Sequence, residues 1–344
     1  MGSLLDRLAP LSTTGVGSLP FSRPAEAACH VMSAYELPFC PQLPRAYGDM
    51  VAEWLGADPG RCGWAPDRDR QLPAVWDAFI LELARRAPAH RLVKLQVTGP
   101  VTLAMALESA AGGDDLCGLA REISTWLAAT VSRQAADLAE LGLDAILVID
   151  EPGIAAAGLR LTETAVWDPL RASVPAWGLH VCGAVPWALG DAAEPDLVSF
   201  DLARYGVSAS ASPTLARLIS RGGRVMWGVF DAVAPQPVQA ATRQIVSACA
   251  SLSDGLALRR VLAASLVSGC CGTGLASIQD ELGVAASLRA AAALVRGGVT
   301  RRGFAPVPLV TMGAAASDGS CTGPDLTKTA ATSPLMSHPA GAGA

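Results

Sequence analysis

The sequence has no uninterrupted apolar run approaching the roughly 20 residues that a membrane-spanning helix requires. It has no Lys/Arg cluster of the kind that tracks a phosphate backbone, and its formal net charge of -5 is mildly acidic. Together these argue against a nucleic-acid partner. Met1 to Pro10 has neither the positive start nor the long apolar stretch of a secretory signal. The expectation is a soluble cytoplasmic protein with no membrane contact. Charge is sparse as well, at 17% of residues against 51% hydrophobic. A chain of 344 residues with that balance can bury a substantial core, as one large α/β domain or two smaller ones.

The cysteine pattern also argues against a disulfide framework. The nine cysteines (Cys29, Cys40, Cys62, Cys117, Cys182, Cys249, Cys270, Cys271 and Cys321) are odd in number and irregularly spaced in a long chain. Most read as small buried hydrophobes, and Cys29, Cys117 and Cys249 sit in Ala-rich helical stretches. A dinucleotide fingerprint is missing too. Thr14-Gly15-Val16-Gly17-Ser18 lacks the third glycine and runs into Leu19-Pro20, which weakens a doubly wound nucleotide-binding sheet, the alternative architecture.

What is present is a regular alternation of short β-branched runs and long Ala/Leu-rich helical runs, the pattern of a parallel α/β sheet. Eight strands are predicted: 12–17, 37–43, 91–97, 145–150, 176–182, 196–201, 225–230 and 263–268. Helices are predicted over 23–33, 74–87, 101–109, 115–141, 185–193, 213–220, 237–253 and 279–295. This count and length fit a closed (β/α)8 barrel, the TIM barrel. The boundaries read as a lead-in over 1–11, the barrel over 12–312, and a tail over 313–344 rich in Ala, Ser, Gly, Thr and Pro that is expected to be disordered.

In such barrels chemistry sits at the C-terminal strand ends. Those ends here carry Gly17-Ser18, Pro41-Gln42, Thr98-Gly99-Pro100, Asp150-Glu151-Pro152, His180 and Cys182, Asp201, Asp231, and Cys270-Cys271. Residues two apart on a strand share a face, so His180 and Cys182 can grip one ion from a single edge. A lone strand histidine is usually a core residue. Imidazole followed by a thiol at one strand end, with Cys-Gly at the end of another, instead points to zinc. Cys271 is preferred over Cys270 because Gly272 lets the backbone turn close to the ion, although only one of the pair can reach and Cys270 stays open. Asp201 is the fourth candidate, either as a carboxylate ligand or as an acceptor that orients the imidazole. A sulfur-rich zinc is poorly suited to acidifying water, and suited to holding a substrate thiol as a nucleophilic thiolate. Thiol alkylation is the chemistry these residues indicate.

The same motifs resemble the catalytic barrel of cobalamin-independent methionine synthase, in the wider superfamily with uroporphyrinogen decarboxylase and the corrinoid-linked methyltransferases. The matching pieces run in family order over roughly 12–297: Thr14 to Pro20, Gln96 to Thr102, Val148 to Pro152, His180-Val181-Cys182, Val198 to Asp201, Trp227 to Asp231, and Cys271-Gly272. The resemblance implies zinc at His180, Cys182 and Cys271, with Asp201 where the synthase has a ligating glutamate. It implies that Asp150 binds the amino group of homocysteine and that the Gly17-Ser18 backbone holds its carboxylate.

The departures narrow this reading. There is room for one barrel, not two. The Gln42-Leu43-Pro44 region lacks the glutamate that the synthase also uses for the amine. Val233 stands in place of the histidine that protonates the folate leaving group, and Ala104-Met105-Ala106 replaces a tryptophan-bearing stretch. The chain therefore resembles short single-barrel members that take a methyl group from a methylcorrinoid or its carrier protein. The expected function is zinc-dependent methyl transfer to a small thiol, foremost homocysteine. The alternatives are another thiol such as coenzyme M, or a non-catalytic zinc- or corrinoid-binding protein. A uroporphyrinogen-type decarboxylase would want several basic rim residues where mainly Arg45 and Arg204 are found.

Overall fold

The computed structural model describes residues 3–55, 72–111, 115–158, 161, 163–252 and 256–301. Cys62, Cys321 and the tail over 313–344 lie outside these. Seven strands form one parallel sheet: β1 Ser12–Thr13, β2 Leu92–Thr98, β3 Asp144–Asp150, β4 Ala176–Val181, β5 Leu197–Asp201, β6 Arg224–Phe230 and β7 Ser265–Gly269. Their spatial order is β1-β7-β6-β5-β4-β3-β2, so each strand from β2 onward pairs with its successor and β7 pairs with β1. Long helices cross between them, including Leu116–Glu140, Val238–Ser251 and Ile278–Arg301. The result is a curled, TIM-like α/β sheet surrounded by helices. Among the described residues no helix is long and apolar enough to cross a membrane.

The complete eight-stranded barrel is not what forms. The expected strand over 37–43 is reduced to isolated bridges, Phe39 to Lys94 and Ser18 to Gln42. The segment still lies between the sheet edges. Leu37 N donates to Thr13 O (2.9 Å) and Gln42 N to Gly17 O (3.1 Å) on the β1 side, and Cys40 N donates to Lys94 O (3.0 Å) on the β2 side. Pro38, Pro41 and Pro44 supply no N–H, so a continuous ladder cannot propagate through this stretch.

Strand alternation sorts the side chains into two cores. Val93, Leu95, Val97, Leu147, Ile149, Leu179, Phe200, Val225, Trp227 and Val267 belong to the larger one, between sheet and helices. Leu92, Ile146, Val148, Ala176, Leu197, Met226 and Leu266 face the opposite way and form a separate apolar plug with Leu5, Leu8 and Leu37. The lead-in thus closes the floor. Arg224, nearly buried at the start of β6, donates to Leu5 O (2.7 Å) and fastens the short 3-10 helix Leu4–Arg7 beneath the sheet.

Candidate active site

Continuing the inward face upward from the plug replaces apolar residues by polar ones. Leu92 is followed on its face by Lys94, Gln96 and Thr98; Val148 by Asp150; Ala176 by Gly178 and His180; Leu197 by Ser199; and Leu266 by Ser268. Lys94, Gln96, Thr98, Asp150, His180, Ser199 and Ser268 are all buried. A strand interior of this polarity is costly unless the groups find partners. Several do not. Among the described residues His180 Nε2, Asp150 Oδ1, Gln96 Nε2 and Gln42 Nε2 are buried without a hydrogen-bond partner.

His180 lies opposite Asp150 in the β3–β4 register. Its Nδ1 sits 2.8 Å from Ser199 Oγ. That contact lets Nδ1 carry the proton and leaves the Nε2 lone pair available as a ligand. Burial lowers the His180 pKa, opposed by the negative fields of Asp150 and Cys271, so the ring is held neutral, the form that binds metal. Asp150 is pushed up to about 6, chiefly by burial, with His180 and Lys94 pulling the other way.

Cys182, half-buried just past the end of β4, meets Cys271, exposed past the end of β7. A hydrogen bond from the Cys271 thiol brings Cys182 down to about 7, while the same bond and burial push Cys271 up. The Cys271 thiol donates and the Cys182 sulfur accepts, so of the two Cys182 ionises the more readily. Cys270 turns away and contacts Asp201, where burial and that carboxylate raise its thiol. Strand parity alone would have sent Cys270 inward after Leu266 and Ser268. The β6–β7 register shifts between Gly228 and Phe230, and the chain leaves the ladder at Gly269, which turns Cys271 toward Cys182.

Asp201 caps the short helix Leu202–Tyr205, its Oδ1 accepting from Arg204 N at 2.9 Å. It also faces Cys270 and exerts its field on His180. Among the described residues no group of three or more His, Cys, Asp or Glu side chains is placed to hold a metal ion. The donors nevertheless suit a thiolate-rich metal: two sulfurs in contact, one of them with its pKa lowered, and an imidazole with a bare, buried nitrogen.

The Gly17-Ser18 loop is clamped to the Cys271 loop. Thr273 N donates to Ser18 O (2.8 Å), and a Cβ on Gly272 would lie 2.1 Å from Ser18 Oγ, so only glycine permits this approach. Glu281, fully buried, fixes the loop from behind by accepting from Thr273 Oγ1 (2.6 Å) and Tyr35 OH (2.6 Å), with His30 Nε2 at 2.7 Å. Glu151, next to Asp150, is likewise fully buried and accepts from Val101 N, Thr102 N, Thr102 Oγ1 and Trp167 Nε1 at 2.7–3.1 Å. It caps the helix Pro100–Ala111 and holds the β3 end rigid.

Two solved structures share this architecture. One is a B12-independent methionine synthase from Shewanella sp. W3-18-1 in complex with selenomethionine, at 15% identity, 85% of this chain, 99% of that chain and a TM-score of 0.62. The other is a methyltransferase from Methanosarcina mazei, at 17% identity, 86% of this chain, 100% of that chain and a TM-score of 0.54. The likeness establishes the fold. No protein-family model and no curated protein matches the sequence. At these identities the chemistry has to be argued from the residues.

Sequence reasoning missed Lys94 and Glu281, and gave Gln96 and Ser199 no role beyond their motifs. Lys94 is fully buried, with Nζ donating to Val16 O (2.6 Å) and Gln96 Oε1 (2.6 Å). Burial lowers it to about 8, opposed by Asp150. A signal existed. Lys94 and Gln96 stand two apart in the apolar run Leu92–Thr98, on the face shared with Leu92 and Thr98.

Proposed function

We propose that this protein is a zinc-dependent methyltransferase that alkylates a small thiol, foremost homocysteine, with a methylcorrinoid as donor. The observation that carries the proposal is the meeting of Cys182 and Cys271, from segments about ninety residues apart, within the electrostatic reach of His180 and its bare Nε2. His180, Cys182 and Cys271 would hold the metal, and Asp201 is the candidate for the exchangeable fourth place. Zinc bound there would keep a substrate thiol deprotonated and nucleophilic at neutral pH.

The remaining work belongs to the chain itself. Ser199 fixes the His180 ring, and Glu151 fixes the loop that presents Asp150. Asp150 Oδ1 offers an unpartnered acceptor to the substrate ammonium. The backbone of Gly17 and Ser18 receives its carboxylate. The donor follows from Val233, which is 86% exposed and has no proton to give. A folate leaving nitrogen needs an acid, whereas a corrinoid cobalt departs without one. The partner in this reading is a corrinoid carrier protein. The two similar folds, a methionine synthase and a methyltransferase, are consistent with it.

Metal analysis of the Cys182→Ser variant tests the centre. Zinc content is expected to fall from about one equivalent to a small fraction of that. Unchanged zinc would remove the site. Methyl transfer is expected with methylcobalamin and not with methyltetrahydrofolate, and clear folate turnover would overturn the argument from Val233.

A further inference from the structure

Lys94 is the only fully buried ammonium on the inward face of the described strands, and it is too short of acceptors to be satisfied without Gln96. An ammonium has no acceptor, so the Gln96 atom that faces it must be the amide oxygen. The orientation of that carboxamide is therefore fixed by chemistry. Its NH2 is forced to the opposite side, where it lies over Gly17: a Cβ built on Gly17 would come within 1.5 Å of Gln96 Nε2. Gln96 is 6% exposed and its Nε2 has no partner among the described residues. A buried donor left unmade is costly. Such a group is completed by a ligand, an ion or an ordered water.

An amide NH2 is donor-only, so its complement is an acceptor, and an anionic one gains most, with the Lys94 charge behind it. On the neighbouring strand Asp150 Oδ1 is an unpartnered acceptor, whose complement is a cation. Donor and acceptor on adjacent strands are complementary in kind to the two charged groups of an α-amino acid. We infer that Gln96 is a specificity-determining donor to the carboxylate of an amino-acid thiol, and that Lys94 is the positioning residue that aims it. This rests on the thiol-alkylation reading above and adds two residues to the substrate pocket it assigns.

The test is equilibrium binding to the zinc-loaded full chain. Homocysteine is compared with 3-aminopropane-1-thiol, which keeps the thiol and amine and lacks the carboxylate. Gln96→Glu still accepts from Lys94, yet removes the donor and repels an anion. It is expected to weaken homocysteine about 10- to 100-fold, the worth of a hydrogen bond to a charged group. Its affinity for 3-aminopropane-1-thiol should stay within about threefold, which also reports an intact fold. Lys94→Met is expected to give the same selective loss at smaller size, because the carboxamide then turns freely.

Equal weakening of both thiols, or no weakening of homocysteine, overturns the inference. So does a native chain that binds homocysteine no better than the amine, and that result leaves thiol alkylation standing. Selective homocysteine binding without methyl transfer does the reverse. It supports the inference and removes the function proposed for the site.

Discussion

The lower and upper halves of the sheet interior are built from the same strands, on the same face, two residues apart, and they are opposite in character. The floor, from Leu5, Leu8 and Leu37 through Leu92, Ile146, Leu197, Met226 and Leu266, is apolar and closed. The mouth holds Lys94, Gln96, Asp150, His180 and Ser199 at comparable burial, with unpartnered atoms on Gln96, Asp150 and His180. One half contributes stability. The other carries buried polar groups without protein partners, the kind of environment that clusters at functional sites.

The largest contrast is expected along β7. Leu266→Ala, in the floor, should destabilise the protein by about 2–5 kcal/mol through lost burial and a residual cavity. Ser268→Ala, two residues higher on the same face, removes only a hydroxyl that donates to Gly269 O (2.9 Å) and should cost about 1 kcal/mol or less. Chemical denaturation of both variants measures the difference. Equal losses would break the division between floor and mouth.

A change of opposite sign is expected at Asp150. Its folded pKa of about 6 stands above the ordinary 3.8, so the unfolded chain releases this proton first and stability falls as pH rises between those values. Asp150→Asn has no such proton. In metal-free protein it should equal the native chain near pH 4 and exceed it by about 1–3 kcal/mol at pH 8, while binding the amine of the substrate more weakly. Denaturation midpoints across that pH range check the trend. A variant less stable at pH 8 would mean that Asp150 supports the fold rather than straining it.

These halves were unequally legible in the sequence. Seven of the strand positions and the long helices follow from apolar periodicity, because each element buries one face against an extended core. The eighth strand did not follow. Leu37-Pro38-Phe39-Cys40-Pro41 reads as apolar and β-prone, but its prolines interrupt the ladder and leave bridges in its place. At the mouth, the placing of His180 and Cys182 at the end of β4 was legible because a strand fixes their relation. Cys271 was legible only through Gly272, since strand parity favoured Cys270 and the decisive turn occurs after the ladder ends. Lys94 and Gln96 were hidden by their surroundings. A single lysine in an apolar run acquires meaning only when the register of neighbouring strands shows which face it shares.

The smallest effect is the most local, and it tests whether the mouth is organised before any ligand arrives. Cys182 titrates near 7 because the Cys271 thiol donates to it; burial and the fields of Asp150 and Asp201 push the other way. Removing that donor in Cys271→Ala leaves burial and the two carboxylate fields opposed only by a smaller backbone hydrogen bond at Cys182. The Cys182 pKa should then rise from about 7 toward the ordinary thiol value of 9. The rate of Cys182 alkylation in metal-free protein, followed against pH by peptide mass analysis, reports it directly. A midpoint near 7 in the native chain that moves upward in the variant would show two sulfurs already paired for a shared ion. A midpoint that stays in place would mean the two side chains meet without exchanging a proton, and the thiolate at Cys182 would need another source.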